Sequence, residues 1–468
     1  MKGSVTTSTL VSEIQSCLHL AIPLVGAQLA QSATSFVDTV MMGWLGSDTI
    51  AAGGLGAVMF NTLLLTSAAL VSAVSPLTAE AFGAGNHQKV GSVVRQGFWL
   101  AVLLVMPCMV LLYQAQPILL ALGQNPETVE RSQIYVRAIL WGIVPGLGIA
   151  VLRNWLAALA QPRPIIITVI LGTVFNIVAN YGLMFGKWGL PALGLAGIGW
   201  ASCLSLWGMF FGLLTYSLIQ PQLRHYRILH HLHRFAPRPF LELLRIGLPI
   251  GVLAGVEVGL FSMTTVLMGQ LGTSTLAAHH IALQTASLTF MVPLGISLAT
   301  TARVGQYLGQ ANGLGARLAG YTGITLAALF MSTMGILFWL APETIVGLYL
   351  DLDNSANRDV VAIAKSLLGV AALFQIVDGI QICAAGALRG LKDTYVPMII
   401  GIVAYWGVGL VSGYVLGFQM GLAGVGLWLG LAFGLMMAAI VLTWRFSVMP
   451  PLKYALFGDR TLTNSLPD

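Results

Sequence analysis

The stretch LGSDTIAA at Leu45–Ala52 returns later in the chain as LGTSTLAA at Leu271–Ala278, so that Leu45 corresponds to Leu271. Pro23 and Pro249 are separated by the same offset. Matches that share one offset across a chain indicate an internal duplication. The sequence therefore predicts two halves of similar structure.

The composition places both halves in a membrane. The 468 residues are 57% hydrophobic and only 8% charged, whereas a soluble domain carries about 25% charged residues. Uncharged stretches recur along the chain, and a span needs about 20 apolar residues, so the longest stretches, Val258–Ala302 and Thr394–Trp444, hold two spans each. We count about twelve spans, and they are helical because no stretch shows the alternation of a membrane strand.

The predicted fold is an all-α polytopic membrane protein with twelve transmembrane helices in two pseudo-symmetric six-helix lobes. We expect an N-lobe at residues 1–236 and a C-lobe at residues 237–468, joined by a basic cytoplasmic linker around residues 220–245. In this topology 17 Lys and Arg residues lie on one side and 5 on the other. The richer side faces the cytoplasm, so both termini are predicted to be cytoplasmic in a multi-pass protein of the cell (inner) membrane.

The duplication also bears on the class of function. Each half holds an even number of helices, so both halves insert in the same orientation, which is the parallel-repeat plan of many transporters. Two similar bundles can rock about a site near the midplane, which a receptor or a structural protein does not need. The net charge of +6 reflects membrane orientation, and we expect no nucleic-acid partner.

Three carboxylates lie inside apolar stretches: Asp38, Glu257 and Asp378. A charge at the bilayer centre costs about 2.5–3.5 kcal/mol on insertion scales, so such acids usually face a cavity and handle an ion, a proton or a substrate. Glu257 and Asp378 fall at similar depth in the second half, where they could coordinate Na⁺ together or share protons. Asp38 lies closer to the outer boundary, and a simple interfacial position is the alternative there.

Other polar side chains share helix faces with these acids. Gln31 lies seven residues before Asp38 on the first span, and Thr264 lies seven residues after Glu257 on the seventh span. Seven residues is nearly two helical turns, so the two members of each pair share a helix face. Asn176 and Asn180 are four residues apart on the fifth span. Their alternative role is helix packing through hydrogen bonds.

A weaker pattern is typical of a cavity for amphipathic cations, although ordinary packing is the alternative. Its members are His280, Gln284, Phe290, Met291 and Phe374. The chain has no GxxxxGK[ST] loop for nucleotide phosphates and no HExxH or GxSxG motif. We therefore expect neither an enzyme nor a cofactor.

Four stretches resemble the multidrug and toxic-compound extrusion (MATE) family of transporters, particularly its NorM-like branch. They are SFVDTVMMGWLG (Ser35–Gly46), EVGLF (Glu257–Phe261), LAAHHIAL (Leu276–Leu283) and FQIVDGIQICAAGALRGLKDT (Phe374–Thr394). The resemblance covers nearly the whole chain.

The resemblance implies a secondary active multidrug exporter, in which inward Na⁺ or H⁺ drives the export of lipophilic cationic drugs or dyes by alternating access. It implies that Glu257 and Asp378, on the seventh and tenth helices, bind the coupling cation. It also implies that Asp38 is the acid of the first lobe and that Asn176 and Asn180 are its fifth-helix amides. We expect a monomer in contact with membrane lipid.

The chain departs from the family pattern at three positions. His280 gives AAHH in place of an AAHQ-type motif, Gln284 stands where Asn is common, and Phe374 stands where Tyr can occur. Fewer oxygen ligands for Na⁺ keep H⁺ open as the coupling ion. Two other functions remain open: a lipid or glycan flippase of the same wider superfamily, which would favour a more basic cavity, and an ion channel, which fits the duplicated halves poorly.

Overall fold

The computed structural model describes residues 7–230, 232–352 and 354–449. These residues form helices joined by turns, and none of them belongs to a β-strand. Twelve of the helices are long and apolar enough to cross a membrane, the number that the sequence predicts. They are α1 (Ser8–Trp44), α2 (Asp48–Gly83), α3 (His87–Tyr113), α4 (Pro126–Ala158), α5 (Arg163–Phe185), α6 (Leu195–Ile219), α7 (Pro237–Gln270), α8 (Thr273–Gly309), α9 (Gly313–Leu340), α10 (Arg358–Gly390), α11 (Tyr395–Gln419) and α12 (Ala423–Val448).

Helix length follows from the bilayer. The shortest span, α5, has 23 residues, and the longest, α1 and α8, have 37. A helix needs about 20 residues to cross a hydrocarbon core of about 30 Å. Because lipid offers no hydrogen bonds to the backbone, a helix that satisfies its own amides is the stable form of these apolar runs.

The duplication extends to the details of the backbone. Gly46 and Gly272 are equivalent positions of the repeat, each precedes the second helix of its half, and both have φ of +115°, a region that favours glycine. Asn86 and Asn312, at the same offset, cap the third helices by accepting a hydrogen bond from a backbone amide at 2.9 Å. The repeated sequence therefore builds the same helix starts twice.

Two compact units make up the chain. The first unit is Gly26–Gly251, and the second unit joins Met1–Val25 to Val252–Asp468. The units therefore differ from the predicted lobes at residues 1–25 and 237–251. The physical reason is that α1 and α7 are continuous helices that each contribute to both units, and the two changes of unit fall at equivalent positions of the repeat.

A buried ion pair holds the beginning of α1 in the second unit. Glu13 is 2% exposed, and Arg303 of α8 donates to its two carboxylate oxygens, from Nε at 3.0 Å and from Nη2 at 2.6 Å. Tyr307 Oη donates to the same carboxylate at 2.6 Å. Charge-assisted, bidentate bonds of this kind are the strong ones, so the start of α1 is firmly attached to α8.

The central helix of the second unit is α10, which packs against α8, α9 and α12. Its counterpart in the first unit, α4, packs against α2, α3 and α6. Asp378 lies on α10, so a carboxylate occupies the central helix of the second unit. Position in the bundle explains why this acid is buried.

The last two helices approach each other through glycine. A Cβ atom added to Gly430 of α12 would lie 2.2 Å from the Cα of Gly413 on α11. Small residues permit this backbone contact between membrane helices. Along the same helix, α11 winds as a π-helix over Val403–Leu410 and again over Val415–Gln419, and π-helical turns are frequent at functional sites.

Candidate functional site

The second unit contains a pair of carboxylates, Glu257 on α7 and Asp378 on α10. Asp378 is 6% exposed, and Glu257 is half-buried. The two acids are close enough to interact electrostatically. The structure thus brings together the two side chains that the sequence predicts to act jointly.

Ring contacts show how the two helices meet. Phe261 lies one turn after Glu257 on α7, and Phe374 lies one turn before Asp378 on α10. Their ring centroids are 6.2 Å apart at an interplanar angle of 80°. Because the seventh and tenth spans run in opposite directions, both phenylalanines lie on the same side of the acids.

Asp378 is incompletely satisfied. Its Oδ1 atom is buried and has no hydrogen-bond partner among the described residues. Burying a carboxylate is costly unless it is paired and hydrogen-bonded. A proton on this oxygen, or a cation beside it, would remove that cost, so the geometry is suited to binding and releasing a positive charge.

Two amide side chains extend the polar face of α10, one three residues before Asp378 and the other three residues after it. Gln375 Oε1 accepts a hydrogen bond from Thr289 Oγ1 at 3.0 Å, and Gln381 Nε2 donates to Tyr405 Oη at 2.6 Å. Gln375 Nε2 and Gln381 Oε1 are buried without a partner among the described residues. Gln381 Oε1 could therefore serve as a neutral oxygen ligand for a hard cation.

The π-helical turn of α11 supports this site from the side. Tyr405 bonds Gln381 of α10, and its neighbour Trp406 donates from Nε1 to the carbonyl of Val256 on α7 at 3.0 Å. Val256 immediately precedes Glu257. Two consecutive residues of one turn therefore contact both helices that carry the acids.

A positive charge lies near Glu257. Arg389 of α10 interacts electrostatically with Glu257, and its Nε donates to the carbonyl of Ala385 at 3.4 Å. Within the described residues, no group of three or more His, Cys, Asp or Glu side chains is placed to hold a metal ion. A cation at this site would thus need amide or hydroxyl oxygens in addition to the two carboxylates.

The first unit contains a different arrangement around Asp38. Asn180 Nδ2 donates to Asp38 Oδ1 at 2.6 Å, and Ser202 Oγ donates to Oδ2 at 3.2 Å. Asn180 Nδ2 also donates to Asn176 Oδ1, and Asn176 Nδ2 donates to Ser202 Oγ, both at 3.1 Å. The predicted amides and the predicted acid therefore meet in one network. Sequence reasoning missed Ser202, because a serine in an apolar helix gives no distinctive signal.

Gln31 and Thr264 share helices with Asp38 and Glu257, but their hydrogen bonds are made to other groups. Gln31 is exposed and accepts a hydrogen bond from Arg153 Nη1 at 3.4 Å. Thr264 is 1% exposed, and its hydroxyl donates to the Leu260 carbonyl of its own helix at 2.9 Å. Their hydrogen bonds connect neither residue to a carboxylate.

The residues of the predicted cavity are divided between surface and interior. His280 and Gln284 are exposed on one face of α8, Phe290 and Met291 are half-buried, and Phe374 is 2% exposed. His279, which precedes His280 at the beginning of α8, is fully buried and hydrogen-bonded.

Comparison with known proteins adds the family context. The family model described as MatE matches residues 23–182 and 249–415, so the two matches begin at equivalent positions of the repeat. The chain is similar to two proteins named "Probable multidrug resistance protein NorM". The one from Synechocystis sp. is 45% identical over 445 residues, covering 95% of this chain and 96% of that protein. The one from Synechococcus sp. is 46% identical over 438 residues, covering 94% of each.

A solved structure shares the fold. The crystal structure of the eukaryotic MATE transporter AtDTX14 matches with a TM-score of 0.85 at 21% identity, covering 97% of this chain and 99% of that one. The match confirms the predicted all-α, polytopic fold.

Proposed function

This chain belongs to the MatE family, and on that premise we propose that it is a secondary active multidrug exporter, which exchanges Na⁺ or H⁺ for lipophilic organic cations by alternating access. The family predicted from the sequence is confirmed by the MatE match and by the NorM-named relatives. Family members are transporters, so the chain is not an enzyme.

The observation that carries the proposal is the Glu257–Asp378 pair. Asp378 is buried with one carboxylate oxygen unpartnered among the described residues, and it interacts with a second acid. Two negative charges in an apolar bundle are stabilised by a bound proton or cation. Loading and unloading that positive charge is the coupling step, and each charge that crosses the whole membrane contributes about 2.3 kcal/mol per 100 mV of membrane potential.

Asp38 forms a second site in the first unit. Its carboxylate already accepts two hydrogen bonds, from Asn180 and Ser202, so it needs a proton or cation less than Asp378 does. We assign it a supporting role, in which protonation or cation binding rearranges the amide network of α5. The name "multidrug resistance" of the relatives supports drugs or dyes as the substrates.

The chain is a multi-pass membrane protein, and its described residues include twelve helices long and apolar enough to cross a membrane. We place it in the cell (inner) membrane with both termini in the cytoplasm, because basic loops remain on that side. We propose that it acts as a monomer, since Asp38 finds its hydrogen-bond partners, and Asp378 its neighbouring acid, within one chain.

Dye efflux from energised membrane vesicles tests the coupling site. Glu257→Gln and Asp378→Asn keep size and polarity but remove the charge, so each should abolish efflux. Glu343→Gln is the matched control, because that exposed glutamate pairs with Lys365 outside the site. Wild-type efflux in both site variants would overturn the assignment.

Proteoliposomes identify the coupling ion. A Na⁺ gradient and a pH gradient are imposed separately, and substrate counterflow is measured for each. The gradient that drives uptake identifies the ion. If neither the Na⁺ gradient nor the pH gradient drives uptake, cation antiport is contradicted.

A further inference from the structure

Three aromatic rings form a continuous row beside the carboxylate pair. Phe374 of α10 contacts Phe261 of α7 at 6.2 Å and Trp428 of α12 at 5.2 Å between ring centroids, both edge to face. Edge-to-face pairs at these distances are favourable. The row therefore links three helices across one side of the acids.

Burial differs along the row. Phe374 is 2% exposed and Trp428 is 0% exposed, whereas Phe261 is half-buried. The two buried rings are held by packing on all sides. Phe261 is the least buried ring of the row.

Trp428 is fixed by a hydrogen bond to His279. The indole nitrogen Nε1 lies 3.1 Å from His279 Nδ1. Indole N–H is a donor only, so Nδ1 must be the acceptor and the ring proton must be on Nε2. The hydrogen bond thus determines the tautomer of the buried imidazole.

The second nitrogen of His279 continues the chain of hydrogen bonds. Nε2 lies 3.1 Å from Thr265 Oγ1, and that hydroxyl donates to the carbonyl of Phe261 at 2.9 Å. Trp428 thus donates to His279, His279 donates to Thr265, and Thr265 donates to the carbonyl of Phe261. This chain of hydrogen bonds therefore ends on the backbone of Phe261, the residue one turn after Glu257.

We propose that Phe261, Phe374 and Trp428 form an aromatic seal that closes one side of the Glu257–Asp378 pair, and that His279 is the positioning residue that holds it. The seal offers rings and no oxygen atoms, so it excludes a hydrated ion while closed. The coupling ion reaches the acids from that side when Phe261 separates from Phe374. The role in ion exchange rests on the proposed function, whereas the closure itself does not.

Accessibility of the acid position tests the seal without transport. The reporter is Asp378→Cys in a background whose four native cysteines are replaced. A small water-soluble thiosulfonate is applied to one face of oriented proteoliposomes at a time, and the modification rate is measured by mass spectrometry. Neither a substrate nor a gradient is present, so the proposed exporter function and the seal can fail independently.

The variants separate the seal from general packing. Phe374→Ala, Trp428→Ala and His279→Leu should each raise the modification rate from one face about tenfold or more, the equivalent of about 1.4 kcal/mol easier opening. His279→Gln keeps an acceptor and a donor and should retain the wild-type rate. Phe433→Ala, which changes an exposed ring of α12, is the matched control.

Two outcomes would overturn the proposal: an unchanged rate in Phe374→Ala, or equal rates in His279→Leu and His279→Gln. If His279→Leu fails to give monodisperse protein, Thr265→Val replaces it, because this isosteric change breaks the same hydrogen-bond chain without altering volume. An increase in rate should again be seen from one face. No increase there would reject His279 as the positioning residue.

Discussion

The polar face of α10 contains one candidate functional residue that the sequence predicts and two that it does not. Asp378 was predictable as a candidate functional residue because a charged side chain inside an apolar helix has a high free-energy cost. Gln375 and Gln381 were not, because a neutral amide in a membrane helix usually serves packing. Asn176 and Asn180 were predicted to share a helix face, but their bonds with Asp38 depend on how α1 and α5 pack, which helical spacing does not report.

Tyr405 supports Gln381 through one hydrogen bond, so Tyr405→Phe should destabilise the protein. The change leaves both polar atoms of the buried Gln381 amide without a partner, at a cost of about 1–3 kcal/mol. The apparent melting temperature in detergent should fall.

A compensating change checks the cause. Gln381→Leu added to Tyr405→Phe should recover much of the lost stability, because removing both partners is nearly neutral. Tyr414→Phe, at an exposed position of α11, should have no effect. If Tyr405→Phe melts like the wild type, the hydrogen bond contributes nothing to stability.

Helices α11 and α12 show how an element positions a site at a distance. Their glycine contact lets the backbones touch, and the π-helical turn of α11 then presents Tyr405 and Trp406 to α10 and α7. The regular spacing of Gly409, Gly413 and Gly417, one per turn, was visible in the sequence. The π-helical turn was not predictable, because no local residue pattern specifies an extra residue per turn.

Gly430→Ala should impair folding. The new methyl group would lie 2.2 Å from the Gly413 Cα, and the backbone there cannot rotate away as a side chain could. Overpacking of this kind costs about 1–3 kcal/mol, so less monodisperse protein and a lower melting temperature are expected. Gly369→Ala is the control, since its methyl group would meet no atom within 4 Å; equal losses in both variants would refute the contact.

The chain as a whole combines predictable and unpredictable features. Hydropathy and the internal repeat predicted twelve spans in two similar halves, because both depend on patterns along the sequence. The boundaries of the compact units inside α1 and α7 were not predicted. An apolar pattern shows that a helix crosses the membrane, but it does not show which neighbours each part of that helix contacts.

The Glu13–Arg303 ion pair should be essential to the second unit. Arg303→Met leaves a carboxylate that is 2% exposed without its main partner, which costs about 3–5 kcal/mol. Glu13→Leu combined with Arg303→Met should be less damaging than Arg303→Met alone, because the double change leaves no uncompensated charge. Apparent melting temperatures of the single and double variants measure the difference.

An exposed ion pair provides the comparison. Lys365→Met removes the partner of Glu343 on the surface, and exposed pairs contribute only about 0–1 kcal/mol. Its melting temperature should therefore stay near that of the wild type. If the effects of Glu13→Leu and Arg303→Met simply add in the double variant, the two side chains do not act as a pair.

The same ion pair has a consequence for synthesis. Glu13 is made 290 residues before Arg303, and a ribosome that adds about 5–20 residues per second needs about 15–60 s to cover that distance. During this interval the first helix is already in the translocation machinery with a carboxylate whose final partner does not yet exist. The beginning of α1 is therefore made long before it can reach its native position against α8.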